Sequence, residues 1–232
     1  MILAAGLGER MRPLTLTTPK PLLAVGGKPM LDHALEALKA AGVRRVVVNT
    51  FHLAEQIESH LARRSDLEVL IVREASLLDS GGGVLNARQR WPDVFGPSPF
   101  FVLNADLTWE DGPGEVPALT RLARFWKPRR MDIALLVMET AKARGFPERG
   151  DFMRTPDGRL GRHNAPVPRS HVFISARIVS PTLFEGITER VFSMNRLFDE
   201  AEARGRLFGL EHRGTCFHVG TPHDLEAANR TR

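Results

Sequence analysis

The sequence predicts an α/β protein with a mostly parallel central sheet flanked by helices. Short continuous apolar runs, such as Val46-Val47-Val48 and Phe100-Phe101-Val102-Leu103, read as buried strands. Between them lie segments with apolar residues at helical spacing, as in Met30, Ala34, Leu35 and Leu38. The alternation of the two patterns along the chain is that of a parallel sheet covered by helices.

Met1–Ala5 reads as the first strand, closed by Gly6. Pro29 to Ala41 is expected to be a helix that Gly42 ends. Val46–Val48 is the second strand, Leu53–Leu61 a helix with Ile57 and Leu61 facing inward, and Leu67–Val72 the third strand. Ser80-Gly81-Gly82-Gly83 is too glycine-rich for the middle of a stable element, since each glycine disfavours a helix by about 1 kcal/mol. Phe100–Leu103 is the fourth strand and delivers Asn104 and Asp106 at its carboxyl end. Val116–Trp126 reads as a helix and Ile133–Glu139 as a strand. From 140 to 180, where Pro147, Gly150, Pro156, Gly158 and Pro166 fall, hairpins and loops are expected. Asn195–Arg204 and Pro222–Arg230 read as helices around a short strand, Leu207–Leu210. There is no internal repeat. Ligands of open α/β sheets sit beyond the carboxyl ends of the strands, so the turn after Ala5 and Asp106 are expected on one edge.

Composition bounds the function. A chain of 232 residues suits one domain, 1–232, able to bury a core without staples. No apolar run approaches membrane-spanning length, and Met1–Ala5 is too short for a signal sequence. A cytoplasmic protein without a membrane partner is expected. The single cysteine, Cys216, excludes an internal disulfide, fits a reducing compartment and reads as core packing. The net charge of +5 comes from scattered arginines, with no basic stripe interleaved with aromatics and no tyrosine, so no nucleic-acid partner is expected. Such a surface still attracts nucleotides and sugar phosphates. Trp91, Trp109 and Trp126 read as packing, and no G-x-S-x-G elbow marks a serine hydrolase.

The chemistry concentrates in Leu3-Ala4-Ala5-Gly6-Leu7-Gly8-Glu9-Arg10-Met11-Arg12-Pro13-Leu14-Thr15, followed by Pro19-Lys20-Pro21. A strand runs into a turn where Gly6 and Gly8 let backbone N–H groups approach an anion. Arg10 adds a planar fork and Lys20 a point charge. Together they describe a cradle for a triphosphate. It is not a Walker loop, because no Lys-Ser/Thr follows at the required spacing. Nor is it the dinucleotide fingerprint, because Met11 stands where the third glycine would be.

This run resembles the L-A-A-G-x-G-x-R-[LM]-x-P-L-T…P-K motif of the sugar-1-phosphate nucleotidyltransferases, and the resemblance covers nearly the whole chain. Leu77-Leu78-Asp79-Ser80-Gly81-Gly82-Gly83, Asn104-Ala105-Asp106 and Phe217-His218-Val219-Gly220-Thr221-Pro222 extend it to the short N-acetylmuramate-1-phosphate uridylyltransferases of peptidoglycan recycling. The resemblance implies a Rossmann-like nucleotidyltransferase fold, with a nucleotide-binding half at about 1–110 and a sugar-binding half at about 111–232. It implies UTP and a sugar 1-phosphate as substrates, N-acetylmuramic acid 1-phosphate foremost, with Mg²⁺ or else Mn²⁺ as cofactor, in a monomer or weak homo-oligomer. Transfer from dTTP or GTP to glucose- or mannose-1-phosphate, or a non-catalytic sugar-nucleotide-binding relative, are the alternatives.

Carried over by motif position, the catalytic residues are Arg10, Lys20 and Asp106, with Asp106 as metal ligand. Leu3, Ala5, Gly6, Gly8 and Glu9 join Arg10 and Lys20 around the nucleotide, and the second motif adds Asp79 and Gly82, its glycine run implied to start a helix beneath base and ribose, with a plain hinge or turn as the other reading. Asp79 would accept from a ribose hydroxyl or cap a helix. Asn104 would contact ribose or sugar, or else make a strand-end hydrogen bond. Asp151, in Gly150-Asp151-Phe152, would face sugar hydroxyls, a solvated loop aspartate being the other reading. His218 stands where many relatives have a second metal-binding aspartate, and neutral imidazole suits softer ions than Mg²⁺. It ligates the metal, recruits a different ion, or hydrogen-bonds a phosphate or water. Ile174 replaces a small residue of the relatives and is expected to reshape the acceptor pocket.

Overall fold

The computed structural model describes residues 1–146, 149–162 and 169–230 of the chain. Pro147 and Pro166 lie outside the described residues. Apart from two short two-stranded pairs, the strands in chain order are β1 (Ile2–Leu3), β2 (Arg45–Thr50), β3 (Glu68–Arg73), β4 (Phe100–Asn104), β5 (Leu107–Glu110), β6 (Ile133–Glu139), β7 (His171–Val179), β8 (Leu207–Glu211) and β9 (Thr215–His218) among the described residues. Among the described residues, seven of them form the central sheet in the order β8-β6-β7-β4-β1-β2-β3. β1 lies parallel between β2 and β4, with Leu3 opposite Asn49 on one side and Asn104 on the other. β8 is parallel to β6, and β7 is antiparallel to both of its neighbours. The mostly parallel sheet expected from the apolar runs is therefore present.

Both faces of that sheet are covered, which is why the strands read as continuous apolar runs. Successive residues point to opposite faces. Ile2, Val46, Val48 and Leu103 pack with helices α1 (Met30–Ala40), α2 (Ala54–Leu61) and α4 (Ala118–Phe125). Met1, Val47 and Val102 pack on the other face with α3 (Asp79–Arg90) and α5 (Met194–Ala203). Leu31, Leu35 and Leu38 of α1 are wholly buried, each contributing about 1.5–3 kcal/mol of apolar transfer. Truncating any of them to alanine would cost about 2–5 kcal/mol. A smaller cluster of Met11, Val25, Met30, Phe217 and Val219, with Ala228 from α6 (Pro222–Arg230), anchors the far end of the glycine turn.

One region differs from the sequence expectation. The stretch from 140 to 180 is not only hairpins and loops, because nine of its residues form β7 in the middle of the sheet. The alternation is broken there by a bulge. Phe173 pairs with Val137 but Arg177 pairs with Leu135, and Ser175 between them has φ of +63°. That shift brings two polar residues into an apolar run. The glycine run lies within the first turns of α3, the helix start that the resemblance implies. The N–H groups of Gly81 and Gly82 donate to the Phe192 carbonyl at 2.9 and 3.0 Å, satisfying donors that a helix start leaves open. A Cβ on Gly82 would stand 2.1 Å from the Arg190 carbonyl oxygen. Close backbone approach, rather than flexibility, demands glycine here. The short pair β5–β9, with Leu107 opposite His218, carried no periodicity long enough to read.

Candidate active site

A cavity of about 650 Å³ opens where β1 and β4 end. Its wall includes Leu3, Ala5, Gly6, Gly8, Glu9 and Arg10 from the first strand and turn, with Lys20, Asp79, Asn104 and Asp106. The N–H groups of Leu7, Gly8 and Glu9 donate to no protein acceptor among the described residues, leaving them for an anion. The turn is held by its own chain. Gly8 has φ of +63°, and its carbonyl accepts from the Met11 N–H at 2.8 Å and the Thr15 hydroxyl at 2.9 Å. A Cβ on Gly8 would meet Thr15 Cγ2 at 2.8 Å and Lys20 Cβ at 3.2 Å. The absent side chain therefore lets the Lys20 stem lie against the turn.

Lys20 and Asp106, 86 residues apart, meet at the base of this turn. Lys20 Nζ donates to Asp106 Oδ2 at 3.2 Å, with the lysine 12% and the aspartate 31% exposed. Burial alone would raise the Asp106 carboxyl. The charges of Lys20 and His218, with hydrogen bonds from Lys20 and Ser175, outweigh it and hold the group below the ordinary carboxylate range. Arg10 is exposed and makes no ion pair among the described residues, so its fork faces solvent ready for an anion.

Residues that the sequence reading did not single out stand on the wall or directly behind it. Asn49 and Glu74 are buried at its inner side. Asn49 Oδ1 accepts from the Ala4 N–H at 2.9 Å, and Asn49 Nδ2 donates to Glu74 Oε1 at 2.7 Å. Glu74 Oε2 accepts from the Leu78 N–H at 3.2 Å. Burial raises the Glu74 carboxyl more than these bonds lower it. On the β7 side, the Ser175 hydroxyl donates to Asp106 Oδ1 at 3.3 Å, and Arg177 Nη1 donates to Asn104 Oδ1 at 3.0 Å. A buried arginine inside an apolar strand was the available signal, since such a charge is rarely tolerated unpaired.

Four other expectations take different places. Gly82 is buried beneath Arg190 and does not line the cavity. Asp151 also lies off its wall, where its Oδ2 accepts from the Phe173 N–H at 2.9 Å and ties the chain to β7. Ile174 is fully buried in the core and does not line this cavity. His218 Nδ1 stands 3.1 Å from the Gly145 carbonyl oxygen. A carbonyl only accepts, so Nδ1 carries the proton and Nε2 is the free nitrogen. The ring stacks against Phe146 at 5.0 Å and lines a separate cavity of about 100 Å³. It remains a neighbour of Asp106, because the Val219 N–H donates to the Asp106 carbonyl at 3.3 Å. Asp79 lines the cavity but does not cap α3, because Leu78 holds the N-cap position without a side-chain bond; Asp79 Oδ1 accepts instead from the Ser80 hydroxyl at 3.0 Å.

The donor set fits a small hard cation. Among the described residues no group of three or more His, Cys, Asp or Glu could cage a metal. A cation that takes one or two carboxylates and completes its shell with phosphates and water needs only Asp106. Among the described residues no helix is long and apolar enough to cross a membrane. Cys216 is buried with its thiol pushed up to about 12 by burial, which removes it from chemistry near neutral pH.

Comparison with known proteins gives this arrangement a context. N-acetylmuramate alpha-1-phosphate uridylyltransferases of Caulobacter vibrioides and Neisseria meningitidis are each 35% identical over 98% of the chain, covering 94% and 95% of those proteins. Mannose-1-phosphate guanylyltransferase catalytic subunit beta of Danio rerio is 29% identical over 97% of the chain, which spans 62% of that protein. In fold, the chain resembles UDP-glucose pyrophosphorylase complexed with UDP-glucose at a TM-score of 0.77 and 17% identity, covering 99% of this chain and 96% of that one. HddC from Yersinia pseudotuberculosis gives 0.75 at 21% identity, covering 99% and 97%. With the Nucleotidyl transferase family model matching residues 1–146, at the turn, the lysine and the aspartate that build the cavity, the chain belongs to the nucleotidyl transferase family.

Proposed function

We propose that this protein transfers a uridylyl group from UTP to a sugar 1-phosphate, N-acetylmuramic acid 1-phosphate foremost, releasing pyrophosphate. A place in peptidoglycan recycling in the cytoplasm follows from that acceptor. The observation that carries the reading is the meeting of Lys20 and Asp106 at 3.2 Å beneath a glycine turn with free N–H groups. The full-length likeness to the two uridylyltransferases supports the choice of nucleotide and sugar. The likeness to a mannose-1-phosphate guanylyltransferase keeps a second substrate pair in view.

The reaction needs no general base, because the attacking phosphate oxygen is already anionic near neutral pH. It displaces pyrophosphate from the α-phosphorus in line, so the enzyme must bring two anions together and hold them. That is a task for positioning and for fixed positive groups. The turn N–H groups and Arg10 take the leaving β- and γ-phosphates. Lys20 pairs with phosphate oxygens at the reacting centre. Asp106 holds Mg²⁺, with Mn²⁺ as substitute, and when bound the ion neutralises phosphate charge and orients the oxygens. Asn104 presents its amide toward the bound sugar or ribose. In this reading residues 1–110 carry the nucleotide and 111–232 the sugar within one domain, with Asp151 on the sugar side. His218 acts beside Asp106 through Nε2, toward the metal, a phosphate or a water.

The test is pyrophosphate release by the purified protein over a matrix of nucleoside triphosphates and sugar 1-phosphates, with Mg²⁺, Mn²⁺ or chelator. Release specific to UTP and N-acetylmuramic acid 1-phosphate that chelator abolishes is the expected result. Release with another pair keeps the mechanism and replaces the substrates, and a protein that binds nucleotide but releases nothing is a non-catalytic relative.

A further inference from the structure

We propose that the bulge in β7 is a positioning device for the two active-site side chains at the end of β4, with Ser175 aiming Asp106 and Arg177 fixing the amide of Asn104. The inference rests on the reading of Asp106 and Asn104 as active-site residues. It is carried by a backbone distortion and a buried cation that packing alone does not require.

Ser175 occupies the left-handed region, which residues other than glycine, asparagine and aspartate avoid. Glycine would relax it. What serine adds is a hydroxyl, and that hydroxyl donates to Asp106 Oδ1 at 3.3 Å while Lys20 donates to Oδ2 at 3.2 Å. The two oxygens of the carboxylate are thus approached by donors from two different elements, and its plane is set. Arg177 is 1% exposed, with its guanidinium 5.4 Å from the Phe173 ring and 6.0 Å from the Phe198 ring. Burial pushes its pKa down to about 9, and its Nε has no hydrogen-bond partner. An apolar side chain would suit that packing better. The specific contact is Nη1 to Asn104 Oδ1 at 3.0 Å. Guanidinium has only donors, so the amide oxygen must face it and the Asn104 NH₂ is left to donate. Asn104 is thereby committed as a donor to an oxygen-rich ligand such as a phosphate or sugar hydroxyl.

The experiment compares Ser175→Gly, Ser175→Ala, Arg177→Met and Arg177→Lys with the parent protein by three readouts. These are the unfolding midpoint, its shift on adding UTP with Mg²⁺, and pyrophosphate release. Ser175→Gly should unfold at a higher temperature yet release pyrophosphate about 10-fold more slowly and need more Mg²⁺ for half its maximal rate, a loss at the low end for one hydrogen bond to a charged group. Ser175→Ala should lose the same activity without the gain in midpoint. Arg177→Met should raise KM about 10-fold and shrink the UTP-induced shift, with Arg177→Lys recovering part of both. Parent-like rates together with parent-like ligand shifts in Ser175→Gly and Arg177→Met overturn the proposal. Should Arg177→Met fail to fold, Ser175→Gly decides alone. A parent protein that UTP stabilises but that releases no pyrophosphate removes the transfer reading, and the ligand shifts then decide the positioning role by themselves. A parent protein that does neither overturns both.

Discussion

The glycine turn and the strand β7 reach the same end of β4 by different means. On one side, the turn from Gly6 to Arg10 and the nearby Lys20 come from a single short segment, and they bring charge and open N–H groups. On the other, β7 contributes Ser175 and Arg177 from 69 and 73 residues away from their partners Asp106 and Asn104, and it brings orientation. A local loop can gather charge because its residues are tied together by the chain itself. Orientation within a fraction of an ångström needs a second element pressed against the first, and here the sheet supplies it. The difference implies that substitutions on the turn side act on rate through electrostatics, whereas those in the sheet act through geometry.

Replacing Lys20 by alanine is the strongest way to break that contrast. Loss of a preorganised cation at the reacting centre should lower kcat about 10²–10³-fold. The unfolding midpoint should fall only modestly, because Asp106 is 31% exposed and can be hydrated or take up a proton once Lys20 is gone. An equal loss of folding would sink the catalytic assignment. The acid limb of activity gives a second check. Burial raises the Asp106 carboxyl, and Lys20 is the largest influence holding it down in the folded protein. A depressed carboxylate contributes above its ordinary range and loses that contribution as pH falls through the folded value. Without Lys20 that loss occurs at higher pH, so the acid limb of kcat/KM should move upward; an unmoved limb means that another group titrates.

Gly82→Ala tests the opposite case, a residue of a nucleotide motif whose work is geometric. The new Cβ would meet the Arg190 carbonyl at 2.1 Å, and that backbone cannot step aside as a side-chain tip can. The expected cost is about 3 kcal/mol of stability, read by denaturant unfolding, with the surviving folded fraction keeping the parent kcat. A stable variant that has lost nucleotide affinity would instead return Gly82 to the binding surface.

How much of this was legible follows from the same contrast. The turn, Lys20 and Asp106 could be read because glycine spacing and charge are local and the strand before Asp106 is apolar and uninterrupted. The α/β layering was legible for a related reason: Ile2, Val47 and Leu103 are buried whichever face they take. β7 was not legible, because its bulge changes the phase of the alternation at Ser175 and puts Arg177 in an apolar run. The helix start at the glycine run followed from the resemblance and not from propensity, because its compensation, the Phe192 carbonyl, comes from a segment more than a hundred residues later. Asp151 carries the right residue type in the right tripeptide, yet its carboxylate is committed to the Phe173 N–H, a partner no spacing rule reveals.

Glu74 sharpens the comparison, because it lines the turn-side wall yet is assembled as β7 is, from distant contacts. Its two oxygens accept from Asn49 and from the Leu78 N–H, and Asn49 in turn accepts from the Ala4 N–H at the mouth of the turn. Glutamine offers one oxygen in place of two, so one of those donors loses its acceptor. Glu74→Gln should therefore loosen the turn through Asn49, raising KM for the triphosphate about 10-fold while kcat stays within about 2-fold, as expected for one buried hydrogen bond. Stability adds an independent sign. Burial raises the Glu74 carboxyl, so its favourable contribution is present below the ordinary glutamate range and fades as pH rises through the folded value. Glutamine has no such titration, so the stability deficit of the variant should shrink as pH rises from about 4 to 7. A fall in kcat with KM unchanged would mean that Glu74 works on the reacting phosphates after all, and locality in sequence would no longer separate charge from geometry in this cleft.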